Sequence, residues 1–124
     1  MDKDDIHAEK TVHILQACPK REIVLLYPAT AIAEAVTALQ RRLRKPSLAQ
    51  KIMDAIQEHQ FIIEPVTQTT IEKASHAFQP DRSKKNTLFD AIVAAVAKEN
   101  NALAIFSFDA WYKTQGISLA SDIL

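Results

Sequence analysis

Glycine is almost absent: the chain of 124 residues holds one, Gly116. Phosphate-cradling loops and dinucleotide-binding turns need several glycines at fixed spacing, so both are excluded. Cysteine is equally scarce. Cys18 alone cannot close an internal disulfide, which fits a reducing cytoplasm, and on a helix it reads as a small core residue rather than a reactive thiol. No apolar run reaches the ~20 residues needed to span a bilayer, and no signal-peptide pattern is present, so a cytoplasmic protein with no membrane partner is expected. Net charge is also missing: 15 Lys and Arg balance 15 Asp and Glu. That balance argues against a basic coat for nucleic acid, although local patches can still bind one. What remains is a globular composition, 48% hydrophobic, sufficient for one domain over residues 1–124 with a real core.

The densest apolar text runs from Asn86 to Asp109, NTLFDAIVAAVAKENNALAIFSFD. Thr87–Asn100 is apolar on nearly every face, the pattern of a helix buried on several sides. Asn100 and Asn101 suit its end, since Asn tolerates the left-handed conformation. Leu103–Phe108 reads as a short strand covered on both faces. Only Asp90 and Asp109 interrupt this text with acids, and a buried carboxylate is costly unless paired, hydrogen-bonded or bound to a metal.

Elsewhere the chain alternates. A helix is expected from Asp4 to Cys18, ended by Pro19, then a buried strand, Glu22–Tyr27. A second helix follows to about Leu43 with Thr30 as N-cap. Ser47–Gln50 has capping-box form for a helix to about His59. Phe61–Val66 is a strand, placed at an edge by Pro65. Thr69–Glu72 suggests another box, for a helix to about Phe78. Gln79–Lys85 is a polar loop. After Asp109 come a short helix or turn and a last strand within Ile117–Leu124. Strands alternating with helices predict an α/β fold with a mainly parallel sheet between helical layers. In such sheets the strand C-termini and helix N-termini gather along one edge, where ligands bind.

Three acids belong to that edge: Glu34 in the helix after EIVLLY, Asp90 in the first turn of the central helix, and Asp109 at the end of LAIFSF. Carboxylates without His or Cys partners suit a hard divalent cation, Mg²⁺ or Mn²⁺, which can activate water against a phosphate. Each acid also has a plainer reading. Thr87–Asp90 is itself a capping box, Asp109 can cap the helix that follows, and Glu34 can favour a helix dipole. Two basic clusters stand out, Arg41, Arg42, Arg44 and Lys45, and Arg82, Lys84 and Lys85. The second precedes the Asp90 helix and could hold phosphate near a metal; a solvated loop is its plainer reading. His7, His13, His59 and His76 form no site.

TLFDAIVAAVA followed by AIFSFDAWYKTQGI resembles the C-terminal half of a PIN domain, and TAIAEAVTAL with Glu34 resembles that family's second acidic position. The opening DKDDIHAEKT resembles its first helix. The resemblance covers the whole chain and implies a three-layer α/β/α sandwich and a metal-dependent endoribonuclease. Many bacterial members, VapC-like toxins among them, cut RNA as the toxin of a toxin–antitoxin pair. Glu34, Asp90 and Asp109 match three of about four acids that hold Mg²⁺ or Mn²⁺ in such enzymes, and Ser107 matches a supporting Ser/Thr. The family begins with a strand ending in its first acid. Asp2, Asp4 and Asp5 fall after that point and none matches it. An impaired PIN-like module that binds RNA or a protein without cleavage is therefore the alternative function. The missing strand is the middle one of the family's sheet, and unpaired edges invite another chain. A homodimer is expected.

Overall fold

A helix needs a way to stop, and this chain has one glycine to stop its helices with. The computed structural model describes residues 3–82 and 85–124. In chain order its elements are α1 (Lys3–Lys20), β1 (Leu26–Pro28), α2 (Ala29–Arg41), α3 (Pro46–Gln57), β2 (Ile62–Glu64), α4 (Gln68–Ala77), α5 (Leu88–Glu99), α6 (Trp111–Thr114) and α7 (Ala120–Ile123). After α1, α2, α3 and α5 the left-handed position is taken by Glu22, Arg44, His59 and Asn101, at φ of 58°, 51°, 57° and 50°. Paired carbonyl closures follow. Asn101 N–H donates to Lys98 O (3.2 Å) and Ala102 N–H to Ala97 O (2.9 Å). His59 N–H donates to Ile56 O (3.0 Å) and Gln60 N–H to Ala55 O (3.0 Å). These are Schellman closures, built here without glycine.

The described residues form two compact units, one of Leu25–Val96 and one of the residues up to Val24 with Ala97–Leu124. In the first, β1 and β2 pair in parallel, Leu26 with Ile62, Tyr27 with Ile63 and Pro28 with Glu64. Parallel neighbours require a crossover, which α2 and α3 supply; α2 packs on α3 and lies against β1. The parallel pairing is as expected, but the strands are shorter than EIVLLY and FIIEPV and are not covered. Ile62 is 51% exposed and Leu26 37%. A two-stranded ribbon has no central strand, so neither member gains the cover of one.

Three helix starts differ from expectation. Pro28, not Thr30, precedes α2, and Thr30 Oγ1 is buried in the first turn without a hydrogen-bond partner among the described residues. Pro46 opens α3 behind Lys45, because its fixed φ suits the first helical position, and the Ser47–Gln50 box is not used at the cap. The box of α4 is Thr67 with Thr70, two residues before the expected one. Thr70 N–H donates to Thr67 Oγ1 (3.2 Å) and Thr67 N–H to Thr70 Oγ1 (3.2 Å), so the fully buried Thr70 is satisfied. α5 is the buried helix anticipated, with Ala91, Ile92, Ala94, Ala95 and Val96 all buried.

In the second unit, Ile14, Cys18, Ile105, Tyr112, Ile117, Leu119 and Ala120 are buried. α1 continues through Pro19 to Lys20 rather than ending there. The strand expected over Leu103–Phe108 is a single parallel bridge, Ile105 with Leu119. Ile105 N–H donates to Ser118 O and Ala120 N–H to Ile105 O, both at 2.9 Å. The ladder stops there because the chain turns into α7 at Ala120, where a last strand was expected. Leu103 is 72% exposed as a result. No helix among the described residues is long and apolar enough to cross a membrane.

Candidate metal and nucleic-acid site

Glu34 lies in the second turn of α2 and is exposed. It makes no hydrogen bond or ion pair among the described residues. Its side of α2 continues through Thr37 to Arg41, both exposed.

Asp90 sits in the first turn of α5, half-buried. Its Oδ2 accepts the Thr87 N–H at 2.9 Å, with Asn86 Nδ2 at 3.4 Å and Thr87 Oγ1 at 3.5 Å. The bond from Thr87 N–H is the carboxylate arm of a capping box. The plainer reading of Asp90 thus describes where one of its oxygens is engaged. This bond orients the group.

Asp109 follows the Ile105 bridge and is half-buried. Its Oδ1 accepts the N–H of Trp111, first residue of α6, at 3.0 Å. Its own N–H donates to Ser107 Oγ at 3.1 Å, so Ser107 fixes the backbone that carries the acid. The two-residue step from Asp109 to Trp111 is an Asx turn, a local signal that apolar patterning does not capture.

Glu34 and Asp90 belong to the unit of Leu25–Val96, while Asp109 and Ser107 belong to the other. Within neither unit, among the described residues, do three His, Cys, Asp or Glu side chains gather closely enough to hold a metal ion. Arg82 is exposed in a turn closed by its N–H to Gln79 O at 3.1 Å, and Lys85 is exposed. Lys84 and Ser83 lie outside the described residues, as does Asp2. His13 lines a cavity of about 230 Å³ with Lys10, Ile14, Ser121 and Leu124.

Compared with known protein families, the chain matches the PIN domain over residues 2–114. No curated protein and no solved structure matches it.

Proposed function

This chain belongs to the PIN domain family, and from that premise we propose that it is a metal-dependent endoribonuclease, the toxin of a toxin–antitoxin pair. The family consists generally of nucleases that depend on divalent metal ions. The observation that carries the reading is the match across residues 2–114, which embraces Glu34, Asp90 and Asp109 together.

The donor set fits a hard cation in its chemistry. Glu34, Asp90 and Asp109 offer oxygen only, as Mg²⁺ and Mn²⁺ prefer. Two of the carboxylates are already oriented by backbone N–H groups, Asp90 by Thr87 and Asp109 by Trp111. Such outer hydrogen bonds are what hold metal ligands in place. A cation bound by these acids would make a water nucleophilic at neutral pH and offset charge on the attacked phosphate. The chain's own residues would divide the remaining work. Ser107 holds the Asp109 backbone, and Arg82, Lys84 and Lys85 hold the RNA strand by its phosphates.

Residues 1–124 act in this reading as one PIN domain, paired as a homodimer and neutralised by an antitoxin protein. Exposed Leu26, Ile62 and Ile63 on the parallel strands support the dimer. Exposed apolar side chains beside the outer edges of a two-stranded ribbon favour association. One observation favours a binding module instead: the Asp90 and Asp109 carboxylates already serve as helix-start acceptors, a role that needs no metal.

RNA incubated with the purified protein separates the two. A nuclease cuts it in millimolar Mn²⁺ or Mg²⁺ and stops on addition of EDTA. RNA that is bound yet stays intact with every divalent metal would establish the binding module.

A further inference from the structure

Residues 35–53 carry five cations, Arg41, Arg42, Arg44, Lys45 and Lys51, and no acid, in a chain whose charges balance overall. Four of the five fall within five consecutive residues, from the last residue of α2 to the residue before α3. All four are exposed. Among the described residues none is paired with a carboxylate. A solvated turn of a neutral protein normally mixes signs, because unrelieved like charges repel one another. Holding four together at the junction of two packed helices costs stability unless an anion relieves it.

Their position is informative. Arg41 lies seven residues after Glu34, two turns of α2, so both are on one side of the helix. At 1.5 Å per residue they are about 10.5 Å apart along its axis. Between them on that side lie Thr37, which is exposed, and the small, half-buried Ala38. That length matches about three nucleotides of a stacked strand at 3.4 Å each. Three of the four cations are arginines, whose planar fork binds phosphate oxygens bidentately.

We propose that Arg41, Arg42, Arg44 and Lys45 form a phosphate-binding surface for an RNA strand. The strand lies along the exposed side of α2, with the nucleotide about three positions away beside Glu34. This rests on the nuclease reading for the role of Glu34, but not for the binding itself. An acidic protein is the competing occupant. The spacing favours RNA, because phosphates repeat at the scale of the stripe and polyanion binding needs no shaped pocket.

The test is binding of a fluorescein-labelled single-stranded RNA to the full chain in EDTA, by anisotropy across a salt series. Each phosphate contact on a single strand contributes about −0.7 to the slope of log K against log salt. In the variant R41A/R42A/R44A/K45A, affinity at 50 mM salt falls at least tenfold and the slope becomes shallower by about 2.8, four contacts at that value. R41A/R42A gives about half of that change. Cooperative melting of both variants at or above the wild-type midpoint shows that folding is intact, the rise being the relieved repulsion. Equal affinity and slope in the fourfold variant overturn the proposal. So does wild-type binding to a polyglutamate peptide but not to RNA, which assigns the surface to an acidic protein. Cleavage in Mn²⁺ is scored separately. A wild type that cuts RNA, with binding insensitive to these four residues, overturns the surface and leaves the nuclease. Patch-dependent binding without cleavage does the reverse.

Discussion

Asp90 has one observed role and one proposed role, and substitution can separate them. Its Oδ2 accepts the Thr87 N–H at the start of α5, and the same carboxylate is the candidate ligand. Asp90→Asn keeps a carbonyl acceptor and removes the charge, so its cost in stability is expected to be small while any gain from Mn²⁺ disappears. Asp90→Ala also loses the acceptor and destabilises the fold by about 1 kcal/mol, in the range of a lost N-terminal cap. Denaturant melts with and without Mn²⁺ check both; an Asn variant that still gains from Mn²⁺ removes Asp90 from the ligand set. The left-handed residues give a second expectation at this scale. His59 at φ 57° bears strain that glycine does not, so His59→Gly stabilises by about 1 kcal/mol. The gain from Asn101→Gly is smaller, since Asn tolerates that region best. A destabilised His59→Gly would mean that the His59 side chain contributes more than its backbone costs. Asn101 was legible in the sequence as a left-handed stop. Glu22, Arg44 and His59 were not, because the packing at those helix ends, not residue preference, sets their conformation.

Helices were more legible than strands, and the reason is physical. Ala91–Val96 announced burial by being apolar on every side, and α5 is buried there. EIVLLY and LAIFSF have the same local character as covered strands. A strand, however, exists only where a partner lies alongside, and partners come from distant sequence. β2 gives β1 three residues, and Leu119 gives Ile105 one. Caps failed for another reason: several Thr and Ser near one start satisfy the same pattern, and geometry selects one. At α4 the choice fell on Thr67 and Thr70. Thr70→Val keeps the shape but strands the Thr67 N–H, and is expected to cost about 1–2 kcal/mol. Urea unfolding of the variant measures this. A change below a few tenths would show that solvent replaces the Thr70 oxygen.

For the whole molecule, family membership was readable because TLFDAIVAAVA and AIFSFDAWYKTQGI preserve acids inside apolar text. Two of those acids were legible by element, Glu34 in α2 and Asp90 at the head of α5; Asp109, expected to end a strand over Leu103–Phe108, lies in the loop that follows a single bridge at Ile105. Whether the three act together was not legible, since sequence places residues on elements and says nothing of the distances between carboxylates. Association belongs to this scale too. Exposed Leu26, Ile62, Ile63 and Leu103 lead us to expect a homodimer, which sedimentation at micromolar concentration reads directly. A cooperative, well-folded monomer there would refute it.

In the proposed nuclease Glu34, Asp90 and Asp109 bind one divalent cation, and titration of Mn²⁺ by calorimetry tests that most directly. One ion per chain is expected, with affinity weakened at least tenfold, about 1.4 kcal/mol, by each of Glu34→Gln, Asp90→Asn and Asp109→Asn. Absence of Mn²⁺ binding, or binding that all three substitutions leave unchanged, would contradict it.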